Sequence, residues 1–315
     1  MSYICAYAKS TGGILQNQAA LAAGVTVEYP LPRTWSLIGD IRVTVQGESS
    51  GDAVTNINMR DMIQEFRILT TKGTEVRMNG YDLSKWSGWV MHGNNKIAPQ
   101  RIGAADDQEA AITYLYPLGI GPQKWQNGDG TFFGLPGHMA DRLIIQFDDD
   151  VELDGKQVTI EYDGLIGGPM PYTYQCLDVF SYTAAAVAQV NDISLPTDAI
   201  LRGVFGWTAT EFDTDTAAIT LSTGEVAIVK NQTVVLQTNP LSRQFGMQNL
   251  QTNDNVSTDE GGRLSLESGC HWFWDLDYGE GGHGYKIDKD TSIRITAAIA
   301  EAARIHRVYY SLVPQ

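Results

Sequence analysis

The residues best equipped for chemistry lie together in CHWFWDLDYGEGGHGYKIDKD, residues 270–290, where His271, Asp275, Asp277, Glu280 and His283 offer imidazole and carboxylate donors. Such donors suit a divalent cation. The stretch has no paired His-x-His, however, and strand alternation supplies a competing account. On a strand, Asp275 and Asp277 share one face while Trp272 and Trp274 share the other, polar outward and aromatic inward. That explains the stretch without a metal. The acidic group Asp148, Asp149, Asp150, Glu152 and Asp154 reads in the same way, as a solvated hairpin end rather than a calcium site.

Other motifs are weaker. Gly47-Glu48-Ser49-Ser50-Gly51 spells the G-x-S-x-G of a nucleophile elbow, which needs a buried strand, a strained turn and a following helix. The polar GDAVTNIN that comes next gives no such helix, so a plain turn or loop is expected. With 37 acidic residues, chance carboxylate pairs are unavoidable, and none is singled out for glycoside or amide hydrolysis. The chain has no phosphate-binding loop, CxxC, zinc-ligand spacing or basic aromatic patch. The sequons at Asn231 and Asn255 stand without a secretory context. No catalytic, cofactor-binding or metal-ligating residue is assigned, and no cofactor is expected.

The elements around these residues read as strands. In residues 141–163, two runs rich in β-branched and aromatic residues meet through Asp154-Gly155, a pair suited to a hairpin turn. Shifted by 150 residues, 291–313 repeats the layout, with Leu143 on Ile293, Ile145 on Ile295 and Val158 on Val308. Within it TAAIAEAARIHRV has helical propensity, but alternation of Ile293, Ile295, Ala297 and Ile299 favours strands, and a second hairpin is expected.

The rest of the chain supports two such units. Ile41, Val43 and Val45 alternate with Arg42, Thr44 and Gln46, the period of a half-buried strand. Residues 66–83 give two strands about Lys72-Gly73 and a second turn at Asn79-Gly80, and residues 219–237 match them with Thr223-Gly224 at the turn. Leu31-Pro32 and Leu195-Pro196 open the two series; SLIGDIRVTVQG corresponds to ILRGVFGWTAT, and ITYLYPLGIG to HWFWDLDYG. Seven or eight short strands per unit is the spacing of an all-β sandwich. Residues 1–29 are expected to form an amphipathic helix or an arm. Residues 164–178 read as a linker, and VFSYTAAAVAQV, residues 179–190, as a short helix.

A chain of 315 residues and 34.5 kDa suits two units of ordinary size. Its net charge of −15 and pI near 4.6 make a partner bound through phosphates unfavourable. Cys5, Cys176 and Cys270, odd in number and far apart, read as thiols. The opening MSYICAYAKS lacks a cleavable signal pattern and no apolar run reaches about 18 residues, so synthesis in a cytoplasm without a membrane anchor is expected.

RTWSLIGDIRVTVQG near the start, GLPGHMADRLIIQFDDD before the close of the first unit, and the two-unit order ending at VYYSLV together resemble the double jelly-roll major capsid proteins of tailless, membrane-containing icosahedral phages and adenovirus. The likeness spans about residues 30 to 313. It implies an N-terminal arm or helix over 1–29, a first jelly roll over 30–163, a linker with a helix over 164–190, and a second jelly roll over 191–315. It further implies a structural protein without enzymatic activity: a homotrimer tiling an icosahedral virion shell beside neighbouring capsomers and minor capsid proteins. An internal membrane would lie near, with no direct nucleic-acid binding. The rivals are a two-jelly-roll hydrolase of the glycoprotein amidase type, and a carbohydrate-binding protein with Trp86 and Trp89, or Trp272 and Trp274, as stacking platforms.

Overall fold

The computed structural model describes residues 9–21, 24–33, 36–49, 62–80, 82–83, 86, 109–117, 135, 139–148, 153–166, 176–208, 210–213, 218–221, 223–240, 270–276, 284–298 and 300–314. The chain forms two compact units, Met1–Cys176 and Leu177–Gln315.

The first unit contains β1 (Lys9–Ala20), β2 (Thr26–Pro30), β3 (Ser36–Ser49), β4 (Ile63–Thr70), β5 (Gly73–Met78), β6 (Glu109–Pro117), β7 (Ala140–Phe147) and β8 (Leu153–Ile166). One sheet has the order β1-β8-β3-β6 and the facing one the order β2-β7-β4-β5. Consecutive strands mostly change sheets, which is the winding of a jelly roll.

The second unit contains β9 (Cys176–Ala184), β10 (Val190–Ser194), β11 (Ala199–Thr208), β12 (Thr210–Asp213), β13 (Ala218–Leu221), β14 (Thr223–Lys230), β15 (Thr233–Thr238), β16 (Cys270–Asp275), β17 (Tyr285–Lys286), β18 (Thr291–Ala297) and β19 (Glu301–Pro314). Its sheets run β9-β19-β11-β16 and β10-β18-β14-β15. With the β12–β13 hairpin and the short β17 set aside, strand order matches the first unit position for position. Two eight-stranded jelly rolls in tandem therefore make up the chain. Even the strand ends agree: Leu31 N–H donates to the Asp141 carbonyl at 2.9 Å, and Leu195 N–H to that of Thr291 at 3.4 Å.

Side-chain alternation builds each core. Ile41, Val43 and Val45 are fully buried, while Arg42, Thr44 and Gln46 between them are half-buried. Leu143, Ile145 and Phe66 on the strands of the facing sheet are buried as well. In the second unit Ile293, Ile295 and Ala297 alternate inward on β18, and the rings of Phe205 and Tyr309 lie 5.7 Å apart on the opposite sheet. Each such side chain contributes about 1.5–3 kcal/mol by leaving water, well above what an exposed ion pair gives.

Several sequence expectations are corrected. The segment read as an N-terminal helix or arm contains β1 and β2. The ladder from β1 to β8, from Lys9 opposite Ile166 to Ala20 opposite Gln157, outweighs the helical spacing of its apolar residues. The first jelly roll thus begins at β1 rather than at residue 30. The expected linker helix at 179–190 is instead β9, a turn and the start of β10, so the second jelly roll begins at Cys176. Tyr182 and Ala184 are buried in alternation there, and the alanine run forms the turn. That turn is held by Gln189, which accepts from Ala185 N–H at 2.7 Å and donates to the Thr183 carbonyl at 3.0 Å.

Neither predicted terminal hairpin is one. β7 pairs with β2 and β4, whereas β8 pairs with β1 and β3; β18 and β19 are likewise split between sheets. Each pair closes its sandwich by crossing it, and the two pairs occupy equivalent places. Asp154-Gly155 lies inside β8 at a bulge opposite Gln46 and Glu48, with Gly155 at φ 61°. In the second unit the β14–β15 turn falls at Asn231-Gln232, whose φ values of 50° and 64° fit a two-residue type I′ turn; Thr223-Gly224 lies within β14. Asn79-Gly80 is a helix start rather than a turn. The Asn79 side chain accepts from Asp82 N–H at 2.7 Å, an N-cap, and Leu83 N–H donates to the Asn79 carbonyl at 2.9 Å.

Candidate functional site

β16 carries the chemically rich stretch, and its pairing with β11 decides what the stretch does. Trp272 and Trp274 point into the second core and are 0% and 1% exposed. His271 and Asp275 alternate with them along the strand; Asp277, Glu280 and His283 lie outside the described residues. Among the described residues no group of three His, Cys, Asp or Glu could hold a metal ion. Trp86 is buried too, and Trp89 lies outside the described residues. Trp272, Trp274 and Trp86 therefore have no free face on which a sugar could stack. Gly47–Ser49, in the G-x-S-x-G match read as a plain turn or loop, are instead the end of β3, where pairing with β8 sets Ser49 opposite Leu153 and buries it fully. Asp148 follows β7, with its N–H on the Met62 carbonyl at 2.8 Å; Asp149, Asp150 and Glu152 are outside the described residues.

The sequence reading missed one buried polar cluster. Tyr182 on β9 stacks on His306 of β19 with ring centroids 5.1 Å apart, and its hydroxyl meets Thr223 Oγ1 of β14 at 2.7 Å. Burial pushes the phenol up to about 12, opposed in part by the Thr223 hydrogen bond. A phenol so raised stays protonated, so the trio is a polar link between the two sheets rather than a nucleophile. Only the pairing of β9 with β19 in one sheet and β14 in the other brings these residues together, and no local motif announces them.

On the outer faces the two units repeat an electrostatic device. Arg142 on β7 donates to Glu28 on β2 at 2.7 Å and to Asp141 at 3.0 Å, and Arg33 reaches Asp141 at 2.8 Å. On the matching strands of the second unit, Arg294 of β18 grips Asp192 of β10 through two bonds of 2.8 and 2.9 Å. Hydrogen bonds from these arginines hold both Asp141 and Asp192 below the ordinary aspartate range. Lys230 does the same for Asp288.

The described surface thus offers sheet margins rather than a reactive cluster. Ile14 on β1, Val190 on β10, and Val234 and Val235 on β15 are the large apolar side chains exposed on strands, at 57%, 51%, 42% and 45%. All three strands end a sheet.

This double jelly roll, without a described reactive centre, is the fold of viral major capsid proteins. The structure is similar to the major capsid protein of STIV, the Sulfolobus turreted icosahedral virus, with a TM-score of 0.64 over 97% of each chain at 13% identity. It is also similar to the major capsid protein of bacteriophage PM2, with a TM-score of 0.60 over 97% of each chain at 12% identity. A third likeness is to the PBCV-1 virus capsid, with a TM-score of 0.58 over 98% of this chain and 95% of that one at 9% identity. No protein-family model and no curated protein sequence matches the chain.

Proposed function

We propose that the chain is a major capsid protein whose homotrimers tile an icosahedral virion shell. The observation that carries this reading is the one-to-one strand correspondence of the two units, taken with a fold match that extends over nearly the whole of known capsid subunits. Three copies of a two-barrel chain in a closed ring present six similar barrels, a near-hexagonal outline suited to packing on a flat facet. Duplication is then part of how the protein works. The long connections between β5 and β6 and between β15 and β16 are candidates for the outer surface. With a charge of −15, the shell is suited to facing a lipid vesicle and neighbouring capsid components rather than gripping a genome, and the chain acts as a structural element rather than an enzyme. Light scattering after size exclusion tests this directly: the expected mass is three chains, and a particle that stays at one chain at high concentration would refute it. Electron micrographs of expressing cells are expected to show facets or trimer sheets.

A further inference from the structure

A strand that ends a sheet offers the backbone N–H and C=O groups of its outer side to any other strand, and proteins ordinarily block such edges with charge. In this chain the block is uneven. Among the strands that end a sheet, β2, β6, β10 and β16 each carry a carboxylate: Glu28, Glu109, Asp192 and Asp275. β1 and β15 carry none; KSTGGILQNQAA has a single lysine at its end and TVVLQT no charge. These same two strands expose Ile14, Val234 and Val235.

Electrostatics selects the occupant. Two copies of a chain at −15 repel through their average surface, so they can approach closely where carboxylates are missing. β1 belongs to the first unit and β15 to the second, so one copy's β15 can meet the next copy's β1. Such a head-to-tail contact uses two different patches, and contacts of that kind form a ring when the rotation between copies closes. A β15–β15 contact would instead stop at a dimer.

We propose that β15 of one chain and β1 of the next, both free of carboxylates and bearing exposed Val234, Val235 and Ile14, form the seam between copies by edge-to-edge strand addition. This rests on the trimer reading above and names its contact.

The test is the mass of the full-length chain by light scattering, with the far-UV spectrum and melting temperature recorded for each variant. Val235→Asp and Ile14→Asp should each reduce the mass threefold, to one chain, with the fold retained. Val235→Asp combined with Ile14→Lys should restore the trimer. Val190→Asp, on an edge that already carries Asp192, should leave it intact. Retention of the trimer by either Val235→Asp or Ile14→Asp overturns the seam while the trimer itself stands; a wild-type chain that is monomeric refutes the trimer. Should a charged variant fail to fold, mixed Val235→Cys and Ile14→Cys chains treated with a short bismaleimide decide the matter. Links joining position 235 to position 14, mapped by peptide mass, are expected, and links joining 235 to 235 would overturn the proposal.

Discussion

Gly206 on β11 lies directly opposite Trp272 on β16, and a Cβ placed on Gly206 would sit 2.2 Å from the indole ring. The flat face of the largest side chain in the second core is thus accommodated by the absence of one methyl group. Because β16 and β11 are both fixed in the ladder, neither backbone can withdraw freely. Gly206→Ala is expected to lower stability by about 3 kcal/mol through overpacking, read as a fall in denaturant midpoint at constant slope. Combining it with Trp272→Leu should cost less than the sum of the two single changes.

The bulge in β8 gives a second, smaller prediction. Gly155 has φ 61°, a left-handed conformation that costs an alanine about 1–2 kcal/mol. Gly155→Ala should destabilise the first unit by that amount and Gly155→Asn by less, since asparagine tolerates this region. Calorimetric melting of the three proteins checks the order Gly, Asn, Ala.

The Tyr182–Thr223 hydrogen bond links the sheets of the second unit, and its pH dependence follows from the phenol being raised to about 12. Unfolding releases the phenol to its ordinary value near 10, so the unfolded chain loses that proton first. The stability the buried neutral phenol contributes is complete below pH 10 and declines between pH 10 and 12. Tyr182→Phe should cost about 1 kcal/mol at pH 7 by removing the hydrogen bond between the phenol and Thr223. The gap from wild type should narrow above pH 10, as measured by urea unfolding.

The strands were legible where burial is one-sided. Alternation at Ile41, Val43 and Val45, and at Ile293 and Ile295, follows directly from a sheet with one wet and one dry face. The equivalence of Leu31 with Leu195, and of β6 with β16, was legible because these positions share both texture and order. What sequence could not distinguish was a hairpin from a sandwich crossing. β7–β8 and β18–β19 each look like two adjacent strands with a short join, and only long-range pairing separates their sheets. The alanines after Tyr182 misled in another way: local propensity favours a helix, but the ladder of β9 and the Gln189 hydrogen bonds override it. For the chemically rich stretch, alternation on one strand placed Trp272 and Trp274 in the core ahead of any metal reading. The β1 and β15 edges left their trace as missing carboxylates, a signal visible only once the terminal strands are known.

The Arg294–Asp192 pair allows a prediction on the acid side. Two hydrogen bonds from Arg294 hold Asp192 below its usual value of 3.8 in the folded chain. A carboxylate whose folded value is depressed contributes stability that is present above the unfolded value and disappears as pH falls through the folded one. Asp141 and Asp288 are shifted in the same direction, so both units should hold a steady melting temperature from pH 7 to about 5 and lose stability below about 4. The Asp192 pair is exposed and screened by solvent, which limits its worth to about 0.5 kcal/mol. Asp192→Asn fixes the neutral form at every pH. The variant should therefore melt slightly below wild type at pH 7 in low salt, approach it in high salt, and converge on it as the pH falls toward 2 and acid protonates Asp192. A difference that persisted unchanged at pH 2 would assign the effect to packing at β10 rather than to charge.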